Sequence, residues 1–302
     1  MDIYLPIAGQ SVNALLIIFL GAVVGVLSGM FGIGGGFLTT PLLIFYGIPP
    51  PVAVASAATQ ITGASVAGVS VHLRRGGADL QMAGVMTVGG FAGSALGALL
   101  FRFLQASGQI DLVIGLLYVV LLGWIGGLML WDALVTLGYV SPSEKAEPGR
   151  NTRWVASLPM RWRFSVSGLY ISPLAPLVLG FGTGILTVLL GVGGGFILVP
   201  AMIYLLGMPA RVVVGTSLAM MLAVSAWSTF VHSVTTHAVD IVLAGLLLVG
   251  GVFGAQYGAF LATKIKPDLL RLALAVLILL VALRMFLGLF WRPDEIYTIA
   301  PL

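Results

Sequence analysis

Two stretches hold the residues best placed to do chemistry: GMFGIGGGFLTTP at 29–41 and LLGVGGGFILVP at 189–200. Each puts consecutive glycines inside an apolar run. Glycine takes positive φ freely and leaves backbone N–H groups unshielded. A helix that starts just after such a tip has N–H groups without intrahelical partners, at the positive end of its macrodipole. Helix starts of this kind bind anions. The chemistry on offer is anion recognition by backbone, centred on Gly34, Gly35, Gly36 and Phe37 in one tip and Gly193, Gly194, Gly195 and Phe196 in the other. A dinucleotide fingerprint is excluded, because no soluble strand–helix unit surrounds either motif.

Polar side chains near the tips extend this candidate set. Thr39 lies in the first motif; Gln60, with Thr59, Thr62 and Ser65, lies midway along the third apolar segment. Thr216 and Ser217, with Ser225, Ser228 and Thr229, lie in the matching part of the eighth. At bilayer depth such groups face protein, because lipid offers no partner. They serve either an anion or helix-to-helix hydrogen bonds. His72 and His232 end their segments. They fit a proton-linked gate, or the plainer role of a histidine at a helix end. Arg284 stands inside the last segment, where a charge must pair or snorkel. Asp79 and Asp240 precede segments and suit helix N-caps.

These residues need elements to hold them, and composition says which. The 302 residues are 59% hydrophobic and 8% charged, with net charge +4 and no cysteine; mean hydropathy is +1.12. Soluble domains carry about 25% charged residues. The chain therefore reads as an all-α polytopic membrane protein, since its apolar runs suit helical spans and do not alternate as barrel strands do. Neither disulfides nor thiolate metal sites are available. No cofactor, metal or nucleic-acid partner is expected. Catalysis is not expected either, because the histidines sit at segment ends and no aspartate lies mid-span.

Ten apolar segments run roughly 12–31, 36–46, 52–72, 80–103, 112–133, 171–190, 195–206, 212–232, 241–262 and 269–291. The two halves match at a nearly constant offset. Gly25, Gly32, Gly34, Gly35, Gly36, Phe37 and Pro41 fall on Gly184, Gly191, Gly193, Gly194, Gly195, Phe196 and Pro200; His72 falls on His232 and Asp79 on Asp240. The expected organisation is a first transmembrane repeat at 1–138, a polar linker at 139–168 and a second repeat at 169–302. Five segments per half would invert the second half relative to the first. The Lys and Arg distribution agrees: one side keeps only Arg102, Arg284 and Arg292, and the other collects the rest. By the positive-inside rule that richer side is cytoplasmic, with the linker, and both termini face outward. In the linker, Trp154, Trp162 and Phe164 interleave with Arg153, Arg161 and Arg163. The pattern suits either a helix lying on an anionic leaflet or a disordered connector.

Residues 12–46 would make about 52 Å of helix, less than two full ~30 Å crossings, so the glycine tips are expected to stop inside the membrane. Irregular backbone at that depth must be covered by protein or line a cavity. Two such tips from inverted repeats give the broken-helix design of secondary transporters, aimed at an anion. The stripes Gly21/Gly25/Gly29, Gly89/Gly93/Gly97 and Gly250/Gly254/Gly258 read instead as close helix packing, internally or in a homodimer.

Each tip is followed by a Gly-x-Pro turn and a small-residue segment, AVASAATQ or VVVGTSLA. With GIGGGFLTTP and GVGGGFILVP, these features resemble the TauE/SafE family of membrane permeases, also called the toluene sulfonate uptake permease family. The resemblance covers 12–133 and 171–291. It implies transport of sulfur-containing oxyanions: sulfite, sulfoacetate and other organosulfonates. Members are usually described with seven or eight helices; ten segments depart from that, the short second segment of each half being easily missed by hydropathy. An anion channel, or a transporter of another small carboxylate or inorganic anion, is the alternative.

Overall fold

The computed structural model describes residues 2–31, 36–74, 76–136, 161–262, 264 and 267–290. Among these, ten helices follow the ten expected segments in order. Helix α1 spans Ala14–Phe31, α2 Gly36–Phe45, α3 Pro50–Arg74, α4 Leu80–Ala106 and α5 Ile110–Thr136. Helix α6 spans Leu174–Leu190, α7 Gly195–Tyr204, α8 Ala210–Thr235, α9 Ile241–Ala262 and α10 Pro267–Phe290. Six are long and apolar enough to cross a membrane. The protein is an all-α polytopic membrane protein. Its outward faces carry Phe19, Phe103, Trp124, Trp131, Phe253 and Tyr257, all exposed and suited to lipid.

Helices α2 and α7 have 10 residues each, which is about 15 Å, half the hydrocarbon thickness. Pro41 and Pro200 sit inside them. A proline has no N–H, so the carbonyls of Phe37 and Phe196, four residues earlier, lose their helical donors.

Packing runs across the halves. Helix α1 lies along α9, α4 along α6, α5 along α10 and α3 along α8. The glycine stripes make the first two contacts. A methyl group on Gly25 would lie 2.3 Å from the Gly251 carbonyl oxygen; on Gly184, the matching residue, it would lie 2.1 Å from that of Gly90. Gly21 and Gly180 abut the Leu247 and Met86 carbonyls in the same way. The packing reading of these stripes holds, and positions paired by the duplication make paired contacts.

Two β-hairpins were not expected. Strands β1 (Asp2–Leu5) and β2 (Gln10–Asn13) pair antiparallel ahead of α1; β3 (Trp162–Phe164) and β4 (Leu169–Ile171) do the same ahead of α6. The second hairpin corrects the surface-helix reading for the end of the linker: Trp162, Arg163 and Phe164 are extended, and the Phe164 ring is buried. Paired across the hairpin, Arg163 and Tyr170 lie on an exposed face while Phe164 and Ile171 are buried on the other, as the two faces of a strand allow. Trp154 and Arg153 lie outside the described residues.

Both predicted caps form, and each does a second job. Asp79 Oδ1 accepts from Met82 N at 3.1 Å, heading α4, while Oδ2 accepts from Ser167 Oγ at 2.7 Å and Ser167 N at 3.0 Å. Asp240 Oδ1 accepts from Val242 N and Leu243 N, both at 3.1 Å, and Oδ2 from Ile7 N at 3.2 Å. Each hairpin is thus tied to the fourth helix of the other half.

Candidate functional site

Where they are described, the two glycine motifs meet, through Gly36 and Phe37 of the first. Gly36 starts α2 and Gly195 starts α7. The next residue in each, Phe37 and Phe196, stack with ring centroids 5.1 Å apart and planes 22° from parallel, both buried. Leu190 and Gly191 close α6 from the other side. The Leu190 carbonyl accepts from Thr40 Oγ1 at 3.1 Å and from Tyr118 Oη. A methyl on Gly36 would lie 2.9 Å from the Gly191 carbonyl oxygen.

The second tip has the expected backbone freedom. Gly191, Gly193 and Gly194 have φ of +66°, +68° and +74°, a region that strains any residue with a Cβ. Gly194 is the N-cap of α7, and Leu198 N returns to its carbonyl at 2.8 Å. Added side chains would also collide: a methyl on Gly193 meets Ile61 at 2.9 Å, and one on Gly194 meets Thr183 at 2.9 Å. Gly34 and Gly35 lie outside the described residues.

Thr39 and Gln60 belong to this cluster. Thr39 Oγ1 donates to Gln60 Oε1 at 2.9 Å, and Gln60 Nε2 donates to the Leu247 carbonyl at 3.4 Å. One amide thereby links α2, α3 and α9. In the second half the matched position is Met220, which faces Gly90 as Gln60 faces Gly251. The centre is therefore polar on one side and thioether on the other. Beyond it, Thr59 and Thr229 lie 3.3 Å apart and Thr62 and Ser225 3.1 Å apart, joining α3 to α8. Among the described residues, the Ser56 and Ser228 hydroxyls are buried and have no hydrogen-bond partner.

Other candidates lie apart from the tips. Thr216 Oγ1 accepts from Asp79 N at 2.8 Å and donates to the Val212 carbonyl, so it serves the head of α4. Ser217 donates to the Val214 carbonyl at 2.9 Å. His232 is buried, with Nε2 3.0 Å from the Val188 carbonyl, Nδ1 3.3 Å from Thr236 Oγ1 and its ring edge-on to Phe101. His72 is only partly covered and opens onto a cavity. Arg284 lies 5.1 Å from the Phe45 ring centroid, in a second cavity of about 310 Å³ shared with Asp111. No cluster of metal-ligating side chains occurs among the described residues. Sequence reasoning missed Thr40, Ile61 and Met221, which wall the second tip with their neighbours; Thr40 was visible as the second hydroxyl of FLTTP.

A bundle of apolar helices with two half-length helices meeting at their starts defines a polytopic membrane transporter fold. The family model described as Sulfite exporter TauE/SafE matches residues 17–285, and the chain belongs to that family. It is 28% identical over 270 residues to the Probable membrane transporter protein YjnA of Bacillus subtilis, covering 89% of this chain and 98% of that one. It is 29% identical over 273 residues to a probable membrane transporter protein of Xylella fastidiosa, covering 87% and 91%. Sulfite exporter TauE/SafE family protein 1 of Arabidopsis thaliana matches at 31% identity over 94 residues, 31% of this chain and 21% of that one. No solved structure matches it. The protein is therefore a multi-pass membrane transporter of this family, and its family consists of transporters and not enzymes.

Proposed function

We propose that this protein is a secondary transporter of small sulfur-containing oxyanions, sulfite, sulfoacetate or another organosulfonate, bound between the starts of α2 and α7. The observation that carries the reading is the Phe37–Phe196 stack, which brings the two helix starts together. Two convergent sets of N–H groups and two positive dipole ends suit one anion better than either does alone. Gly34, Gly35, Gly36 and Phe37 with Gly193, Gly194, Gly195 and Phe196 supply the backbone donors, and Thr39 and Gln60 supply polar side chains. Thr216 and Ser217 act at one remove, through the seating of α4 and α8.

The two repeats are inverted, with the linker cytoplasmic and both termini outside, a reading that the Lys and Arg distribution supports. Access alternates as groups of helices rock about the tips. Because α1 packs on α9 and α4 on α6, the rocking bodies draw on both halves. His72, His232 and Arg284 stand at the ends of the route, where a proton-linked gate would act.

The test is flux of sulfite, sulfoacetate, taurine and sulfate into liposomes holding the purified protein, with and without a pH gradient. Saturable flux of one sulfur oxyanion, lost in Gly194→Val, is the expected result. Flux that grows linearly with concentration would mark a channel, and no flux from folded protein would refute the substrate class.

A further inference from the structure

The cavity that His72 faces is separate from the tips. It encloses about 480 Å³ between the C-terminal end of α3, the α3–α4 turn, the start of α8 and the second hairpin. His72, Gly76, Gly77, Val166, Arg211 and Val212 line it. That volume falls within the range of roughly 300–1,000 Å³ that holds small ligands. We infer that this cavity is a second oxyanion site, built on Arg211 and His72, for a sulfonate, sulfate or phosphate group.

Among the described residues Arg211 is the one ionised side chain in the lining, and no carboxylate shares the wall. Among the described residues its guanidinium has no ion-pair partner. A guanidinium offers a planar fork of donors that matches tetrahedral oxyanions. The carboxylate nearest in sequence, Asp79, is consumed by Met82 N and by Ser167. His72 supplies the second polar wall; Nδ1 donates to the Gly68 carbonyl at 3.0 Å, which fixes its rotamer. Gly76 and Gly77 turn their N–H groups back onto Leu73 O and His72 O, so recognition falls to the side chains, and the glycines keep the space open. Val166 closes the remaining wall and does not drift, because its neighbour Ser167 is tied to Asp79. The ligand is either a soluble oxyanion or the phosphate of a lipid headgroup, which share this chemistry.

The chain has no cysteine, so Ser165→Cys, in the exposed turn beside Val166, takes a single environment-sensitive fluorophore. The labelled full-length protein in phosphatidylcholine nanodiscs is titrated with sodium sulfate at constant ionic strength, then compared with nanodiscs holding increasing phosphatidylglycerol. A saturable sulfate response, weakened roughly tenfold or more in Arg211→Gln and largely kept in Arg211→Lys, supports the site with a soluble ligand. A response to phosphatidylglycerol with the same dependence on Arg211 supports it with a headgroup. No saturable response to either, or a response equal in Arg211→Gln, overturns it. Failure of the transport reading would appear as absent flux in liposomes and leaves this isotherm unaffected.

Discussion

The hydroxyl of Thr40, in the first half-length helix, donates across 3.1 Å to the carbonyl of Leu190, the last residue of α6 in the opposite half. A helix end leaves its final carbonyls without intrahelical donors. Here a residue of one tip satisfies a carbonyl of the other, so the two tips are chemically joined as well as stacked. Thr40→Val keeps the shape and removes the donor. We expect a loss of about 1 kcal/mol in thermal or chemical unfolding in detergent, the usual size of such bonds between membrane helices, with the remainder held by Tyr118. Unchanged stability would mean that the bond does not form in solution.

The glycine stripes make a sharper prediction. Gly25→Leu drives carbon into the Gly251 backbone, whose oxygen already lies 2.3 Å from where a Cβ would sit. Backbone cannot swing aside as a side chain can, so α1 must leave α9. Loss of monodisperse protein on size exclusion is expected. Gly182→Ala is the control, because nothing lies within 4 Å of its added methyl, and it should behave as the parent.

Gln60→Met converts the polar side of the centre to match Met220. Packing volume is nearly kept, since the two side chains are close in size, but Thr39 loses its acceptor. Folding should survive, while the KM for the transported oxyanion rises roughly tenfold, as expected when a hydrogen bond to a charged ligand is lost. Liposome flux reads this directly, and an unchanged KM would assign Gln60 to helix tethering alone.

Asp79→Ala and Asp240→Ala each remove an N-cap and a tether. The cap alone is worth about 1 kcal/mol. The tether gives the more specific signature: hydrogen exchange should quicken in the second hairpin, at 162–171, for Asp79→Ala and in the first, at 2–13, for Asp240→Ala. Equal quickening of both hairpins in either variant would contradict the crossed arrangement.

The helices were legible because their apolar runs are long and their ends are marked by Gly, Pro and Asp79 or Asp240. Stripes such as Gly21/Gly25/Gly29 were legible as packing for the same reason, since their spacing matches one helix face. The hairpins were not. Strands of 3 or 4 residues carry too little alternation to be told from a surface helix or a disordered connector, the two readings that the Arg153–Phe164 pattern allows. At the centre, the division of labour among hydroxyls was not legible. Thr39 and Thr216 look alike in sequence, yet one reaches Gln60 and the other holds the backbone of Asp79. That difference depends on which element packs alongside, α3 of the same half for Thr39 and the head of α4 from the other half for Thr216, which local sequence does not encode. His232 shows the same effect: its partner, the Val188 carbonyl, comes from α6 in the same half, but its burial needs Phe101 from the first.

The pairing of α1 with α9 also bears on how the protein is made. Helix α1 carries a bare glycine groove whose partner, α9, is synthesised about 200 residues later, and the first hairpin waits for Asp240. Until then, among the described residues, α1 meets its own half mainly at α2 and the first hairpin, with its main packing partner still missing. The first five helices should therefore remain loosely associated after insertion and tighten only when the ninth arrives. Expressed as two separate polypeptides, the halves would each be degraded alone and rescued by co-expression.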